Sequence, residues 1–319
     1  MRSAAAFLIV PFAALSIGAA SPAPQPAAAG EDVSLLRFQV DPADRMTVPI
    51  SLAKGSVHHF LIDTGAEQSA ISTELARNLG YASAGERRVY SFAGESRVRM
   101  VRVPTMKIAS NTRGGFDALT FGRNVLGADG LLGIDSLAGQ KVRFDFMHRT
   151  LAISPATAIS QRAERGEVLV RAKVRNGRLV MSNASANRVQ IQLVLDTGTS
   201  VSMGNAALRD ALQRSGRLGK LKRINMLAIT GEIVPIDYGL MRQVVIDRSV
   251  VIQRMPIAFA VRQPFDRLGL DDKPAILLGM DVLRSFGEVS VDFRNRKNLF
   301  RARDDSQRLP PSFFGFDNA

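Results

Sequence analysis

Two short runs in this 319-residue sequence place an acid where it could do chemistry. Phe60-Leu61-Ile62-Asp63-Thr64-Gly65-Ala66 and Val194-Leu195-Asp196-Thr197-Gly198-Thr199 each bring an aspartate to the end of an apolar, strand-like stretch. A carboxylate at a sharp turn after a buried strand is held rigidly. Gly65 and Gly198 permit backbone geometry that a Cβ would obstruct. Thr64 and Thr197 can hydrogen-bond across to the opposite turn and lock the two together. Two carboxylates about 3 Å apart cannot both ionise, so they share one proton. Such a pair offers a base to activate water and an acid to protonate a carbonyl oxygen or a leaving amine. One aspartate cannot do both at once, so this chemistry calls for two.

The two turns are not identical. Thr199 can donate a hydrogen bond to the Asp196 carboxylate, whereas Ala66 cannot do the same for Asp63. Hydrogen bonding to the ionised form lowers a pKa, so the shared proton is expected on Asp63.

More of the chain is matched around these turns. Asp129-Gly-Leu131-Leu132-Gly133-Ile-Asp135 corresponds to Ala275-Ile-Leu277-Leu278-Gly279-Met-Asp281, and Val142-Arg-Phe-Asp145-Phe146 to Val289-Ser-Val-Asp292-Phe293. The first aspartate precedes its second-motif glycine by 133 − 63 = 70 residues, the second by 279 − 196 = 83, and the two aspartates lie 196 − 63 = 133 apart. Three matched elements in the same order read as an internal repeat, with one lobe over residues 31–157, another over 158–303, and a tail at 304–319. Within each lobe the pattern is mostly strand. Val48 to Leu52 and Val57 to Ile62 read as a hairpin leading into the first turn, and Arg178 to Met181 with Val189 to Leu195 play the same part in the second. Helices are expected at Ser72 to Leu79, stopped by Gly80, and at Asn205 to Ser215, stopped by Gly216. Shorter ones are expected at Asp135 to Ala138 and Asp281 to Phe286, about two per half.

The paired Asp-Thr-Gly turns, each followed by Leu-Leu-Gly, resemble the aspartic peptidase superfamily. The Asp-Thr-Gly-Ala form at Asp63 and the absence of cysteine are closer to bacterial retropepsin-like proteins than to pepsins. The resemblance implies a mainly β fold of two homologous retropepsin-like, acid-protease β-barrel lobes with a central cleft and a few short helices. It implies that Asp63 and Asp196 are catalytic, supported by Thr64, Gly65, Thr197, Gly198 and Thr199. Leu132, Gly133, Leu278 and Gly279 would pass behind the two turns as structural buttresses. It also implies hairpin flaps over the cleft, with Phe92 and Gly94 as candidates in one half and Thr230 and Gly231 in the other. The expected activity is that of an aspartic endopeptidase acting on exported or envelope proteins without a covalent intermediate. A catalytically weak peptide- or envelope-binding module on the same fold is the alternative. No metal and no organic cofactor is implied, and since both halves lie in one chain a monomer suffices.

Other constellations are weaker. His58 and His59 are adjacent on a strand and point to opposite faces, so they cannot grip one metal together. No Gly-x-Ser-x-Gly elbow and no phosphate-binding loop pattern occurs. Asp135 and Asp281 read as caps of short helices, Asp145 and Asp292 as hairpin-turn residues.

The ends and the composition set the context. Arg2, the apolar run Ala4 to Ala20 and the small residues Gly18 and Ala20 fit a signal peptide over residues 1–20, with cleavage as late as 29. An uncleaved anchor is the alternative, and either way an exported location is expected, periplasmic or secreted. Whether Glu31 to Met46 is a removable prosegment stays open. There is no cysteine, which removes disulfides, thiol nucleophiles and Cys-ligated zinc. The formal net charge of +13 favours an anionic envelope surface as a partner beside the peptide or protein substrate. The basic residues, Arg175 and Arg178 among them, are scattered without interleaved aromatics, so no nucleic acid is expected.

Overall fold

The computed structural model describes residues 33–303 except 42–44, 53–54, 92, 109–110, 157–162, 164–165 and 261–264. The signal-peptide reading, the tail at 304–319 and the flap candidate Phe92 lie outside the described residues. The first half runs β1 (Ser34–Arg37), β2 (Gln39–Val40), β3 (Met46–Ser51), β4 (Val57–Ile62), β5 (Ala70–Ser72), α1 (Thr73–Asn78), β6 (Ser83–Ser91), β7 (Gly94–Ile108), β8 (Asn111–Phe121), α2 (Arg123–Leu126), β9 (Gly130–Leu132), α3 (Ile134–Leu137), β10 (Gln140–Asp145) and β11 (Thr150–Pro155). The second half runs β12 (Glu167–Arg171), β13 (Lys173–Arg175), β14 (Arg178–Ala186), β15 (Val189–Leu195), β16 (Met203–Gly204), α4 (Ala206–Arg214), β17 (Lys222–Leu227), β18 (Ile233–Ile246), β19 (Val250–Phe259), β20 (Ala275–Leu278), α5 (Met280–Leu283), β21 (Glu288–Asp292) and β22 (Lys297–Arg301). The protein is mainly β, with two sheet-rich lobes.

Each lobe has an eight-stranded sheet, and the two follow corresponding orders: β2-β3-β4-β9-β5-β8-β7-β6 and β13-β14-β15-β20-β16-β19-β18-β17. In both, the strand that ends at the aspartate runs parallel to the Leu-Leu strand. Phe60, Leu61 and Ile62 pair with Gly130, Leu131 and Leu132, while Leu193, Val194 and Leu195 pair with Ile276, Leu277 and Leu278. These central strands are buried on both faces, which is why they read as continuous apolar runs rather than alternating ones.

A third, six-stranded sheet is shared, in the order β1-β11-β10-β21-β22-β12. Its seam is the antiparallel pair β10–β21, where Val142 faces Val291 and Phe144 faces Val289. All four are buried, and each such side chain contributes about 1.5–3 kcal/mol on leaving water. The segment from Ser34 to Phe38 belongs to this sheet: Leu36 and Phe38 are buried in the core, and β1 pairs with β11. It is therefore part of the folded body, not a loose appendage.

The longer helices start and stop where expected. Ser72 caps α1 by accepting from the Leu75 amide, and Asn205 caps α4 through the Leu208 amide. The chain leaves both through glycines with left-handed backbone, Gly80 at φ +67° and Gly216 at φ +64°. The extra helix α2 was not expected, so among its described residues the first half carries three α-helices rather than two. It is a single turn ended by left-handed Gly127, too short to show a helical period.

Candidate active site

Asp63 and Asp196 are brought together between the lobes. The amide of Asp63 donates to the Leu132 carbonyl at 2.9 Å and that of Asp196 to Leu278 at 3.0 Å, so each turn hangs from the buttress strand behind it. The threonines then cross over. Thr64 Oγ1 donates to the Leu195 carbonyl at 2.9 Å and accepts from the Thr197 amide at 3.2 Å; Thr197 Oγ1 donates to the Ile62 carbonyl at 2.7 Å and accepts from the Thr64 amide at 3.1 Å. Both threonines are buried, so these four reciprocal bonds form in a low-dielectric setting where each is hard to replace.

The glycines have a more specific reason than turn geometry. A Cβ on Gly65 would overlap the carboxyl group of Asp196, and one on Gly198 would overlap that of Asp63. Each carboxyl therefore lies over the glycine of the opposite turn. Gly133 and Gly279 have ordinary backbone angles and are required by close approach. A Cβ there would stand 2.7 Å from the backbone of Gln68 and 2.8 Å from that of Val201 respectively.

Behind each turn sits a serine six residues beyond the aspartate (69 − 63 and 202 − 196). Ser69 Oγ accepts from the Gly133 amide at 3.1 Å and donates to Asp135 at 2.7 Å; Ser202 Oγ accepts from Gly279 at 3.0 Å and donates to Asp281 at 2.7 Å. This corrects the expectation that Asp135 and Asp281 cap helices. The cap positions are Gly133 and Gly279, and neither makes a side-chain cap bond. The two aspartates reach back to the catalytic-turn loop because its amides and hydroxyls are closer than any open helix end. Asp145 and Asp292 do sit at hairpin turns, accepting from the amides of Met147, His148 and Asn295.

Charge around the pair is uneven. Burial raises the pKa of Asp63, opposed by the Gly65 and Ala66 amides, at 2.8 and 2.9 Å from Oδ1, and by the positive charges of Arg178 and Arg45. Burial and then the charge of Asp63 push Asp196 up to about 7, opposed by Arg178 and the Gly198 and Thr199 amides. Burial thus raises both carboxyls, and the positive charge of Arg178 opposes the rise at each. The Thr199 hydroxyl, expected to bond the Asp196 carboxylate, donates instead to the Val201 carbonyl at 3.0 Å.

Arg178 is not one of a scatter of surface bases. It is buried, its Nε donates to the Gly65 carbonyl at 2.5 Å, and its Nη1 lies 3.6 Å from Glu67. Arg45 occupies the matching place in the first half, with Nη2 on the Leu126 carbonyl and on Asp41, both at 2.6 Å. Both stand 18 residues before their aspartate (63 − 45 and 196 − 178). That spacing, and the six-residue offset of the serines, were the signals available in the sequence.

The candidate flaps are hairpin tips. Ser91 faces Gly94, which has φ +126°, and Leu227 faces Ile233 across a turn holding Thr230 and Gly231, the latter at φ +96°. Each half's hairpin touches the other half. The Arg267 guanidinium lies 5.0 Å from the Tyr90 ring centre and 3.1 Å from Glu67, and Ile229 packs on the cluster of Leu61, Leu119, Phe121, Leu126 and Leu131.

A family model described as aspartyl protease matches residues 48–136, spanning the Asp63 turn and its buttress at Gly133. No curated protein matches the chain.

Proposed function

We propose that this chain, whose fold and family match are those of the aspartic peptidase superfamily, is an endopeptidase that hydrolyses peptide bonds of exported or envelope proteins with Asp63 and Asp196 as its catalytic pair. The observation that carries the reading is the reciprocal arrangement of the turns: each threonine bonds the opposite strand, and each carboxyl lies over the opposite glycine. A scaffold that only bound peptides would have no need to desolvate two carboxyls against each other.

In the reaction, water held between the carboxyls loses a proton to Asp63 as its oxygen attacks the scissile carbonyl. Asp196 gives its proton to the developing oxyanion, producing a neutral gem-diol. Collapse of the gem-diol returns one hydroxyl proton to Asp196, while Asp63 passes the proton it took from water to the leaving amine. Desolvation of the pair keeps one acid protonated near neutral pH, and the two turn amides at Asp63 support the reading that Asp63 is the ionised partner. The hairpins at Gly94 and Gly231 would close over the bound peptide, with both halves in one chain so that a monomer suffices. The corresponding strand orders favour an internal repeat, and the apolar leader favours export to a periplasmic or secreted location.

The test is to incubate the protein, Asp63→Asn and Asp196→Asn with a mixed peptide library from acidic to neutral pH. Cleavage by the native chain, reduced by about three orders of magnitude or more in both variants, is expected. No cleavage by the native chain, or equal cleavage by the variants, would overturn the proposal.

A further inference from the structure

At the far end of β15 from Asp196, roughly 20 Å away along the strand, a cavity of about 410 Å³ is lined by Arg188, Arg217 and Arg242 together with Asn187, Leu218 and Leu240. The three arginines come from different elements: the β14–β15 turn, the exit of α4, and β18. No acidic residue lines the cavity, and among the described residues none of the three guanidiniums meets a carboxylate. Elsewhere arginines meet carboxylates, as at Glu67, Asp237 and Glu288.

The elements that bear the arginines are tied together. Asn187 donates from its amide to the Gln243 carbonyl at 2.8 Å and from Nδ2 to the Arg217 carbonyl at 3.0 Å, and its Oδ1 accepts from the Gln243 amide at 3.1 Å. One residue thus fixes the spacing of three like charges whose repulsion would otherwise spread them. The scaffold does not require those charges. In the first half, Tyr81 leaves α1 as Arg217 leaves α4, each amide reaching back five residues, to Ala76 and to Leu212. Register places Pro104 where the second half has Arg242, since Met100 pairs with Leu119 as Tyr238 pairs with Ala258.

We infer that this cavity is a binding site for a phosphate ester. A carboxylate balances one guanidinium, whereas a phosphomonoester carries close to two negative charges and three terminal oxygens that planar guanidinium forks can share. The volume exceeds that of a bare anion and falls in the range of small-molecule sites, about 300–1,000 Å³. Leu218 and Leu240 supply an apolar wall for the organic part. The arginines are exposed to water, so binding is salt-dependent and of modest strength. The inference is independent of the peptidase reading.

The probe is inorganic pyrophosphate, titrated calorimetrically at low salt into three proteins. These are the native chain, Arg188→Ala/Arg217→Ala/Arg242→Ala, and a charge-matched control, Arg149→Ala/Arg171→Ala/Arg248→Ala. All six positions are exposed, and thermal unfolding checks that both variants fold. Saturable binding that weakens at least about tenfold in the cavity variant and little in the control is expected. Sedimentation with phosphatidylcholine vesicles, with and without phosphatidic acid, identifies the source. Capture that needs the three cavity arginines makes the ligand a lipid headgroup, and its absence makes it a free phosphate ester. Absence of saturation at millimolar pyrophosphate, or equal weakening in the two variants, would overturn the inference.

Discussion

The Arg178 side chain of the second half holds the Gly65 carbonyl of the first at 2.5 Å, directly behind the glycine on which the Asp196 carboxyl rests. One guanidinium therefore positions a turn of the opposite lobe and lowers the pKa of both aspartates. Replacing it with methionine keeps the bulk and removes both effects. The Arg178→Met variant is expected to lose ten- to a hundredfold in kcat, and its rate is expected to fall at a higher pH than that of the native chain. A pH–rate profile on a cleaved peptide checks this. A loss of kcat with an unmoved profile would make Arg178 a packing residue only.

The crossed threonines should matter to stability as well as rate. Thr64→Val and Thr197→Val each strand a buried carbonyl and amide, costing about 1–3 kcal/mol, while Thr→Ser at either position keeps the hydroxyl. Denaturant melts of the four variants distinguish the two outcomes. Serine variants as unstable as the valine ones would show that the methyl group, not the hydrogen bond, is what counts.

Stability should fall as pH rises toward neutrality, and the sign follows from the direction of the shifts. Asp196 is raised to about 7 and Asp281 to about 6, both above their usual range near 3.8. Between roughly pH 4 and pH 7 the folded state therefore binds more protons than the unfolded chain, so protonation stabilises it. That stabilisation is complete below the unfolded pKa and is lost as pH climbs through the folded values. Melting temperature is expected to be several degrees higher at pH 5 than at pH 8, measured calorimetrically. The reverse ordering would contradict the assignment.

Asp281 isolates one part of that dependence. Asp135 is paired with Arg113 at 3.3 Å, whereas Asp281 is raised chiefly by burial, with the Ser202 and Val282 bonds opposing. Asn in its place can keep the acceptor used by Ser202 and Val282. Relative to the native chain, Asp281→Asn should gain on the order of 1–3 kcal/mol between pH 5 and pH 8, read from melts at the two pH values. The matching Asp135→Asn change breaks an ion pair instead and should lower the melting temperature.

Between the halves, Arg267 connects Tyr90 to Glu67. Removing an exposed ion pair and cation–π contact is worth under about 1 kcal/mol each, so Arg267→Ala should leave the fold intact. It should speed amide exchange in β6 and raise KM severalfold with little change in kcat. Unchanged exchange would separate this contact from hairpin motion.

The parts legible in the sequence were those fixed by local chemistry. The two turns, the Leu-Leu-Gly strands, the helices starting at Ser72 and Asn205 and the hairpin aspartates each announce themselves within a few residues. What crosses the molecule did not. Arg178 reads as surface charge until β14 carries it under the opposite turn. Asp281 reads as a cap until Ser202 is folded against it. The shared sheet was hidden because β1 and β12 are short strands whose partners lie more than a hundred residues away in the chain. Thr199 misled because the Val201 carbonyl in its own loop takes the hydroxyl.

The seam between β10 and β21 also sets a schedule. During synthesis the first half emerges with β10 lacking its neighbour, and Asp63 has no counterpart carboxyl until residue 196 appears. The sheet that holds the halves together closes only when Glu288–Asp292 has left the ribosome. A chain that stops short of that strand therefore carries the first acid without the shared frame.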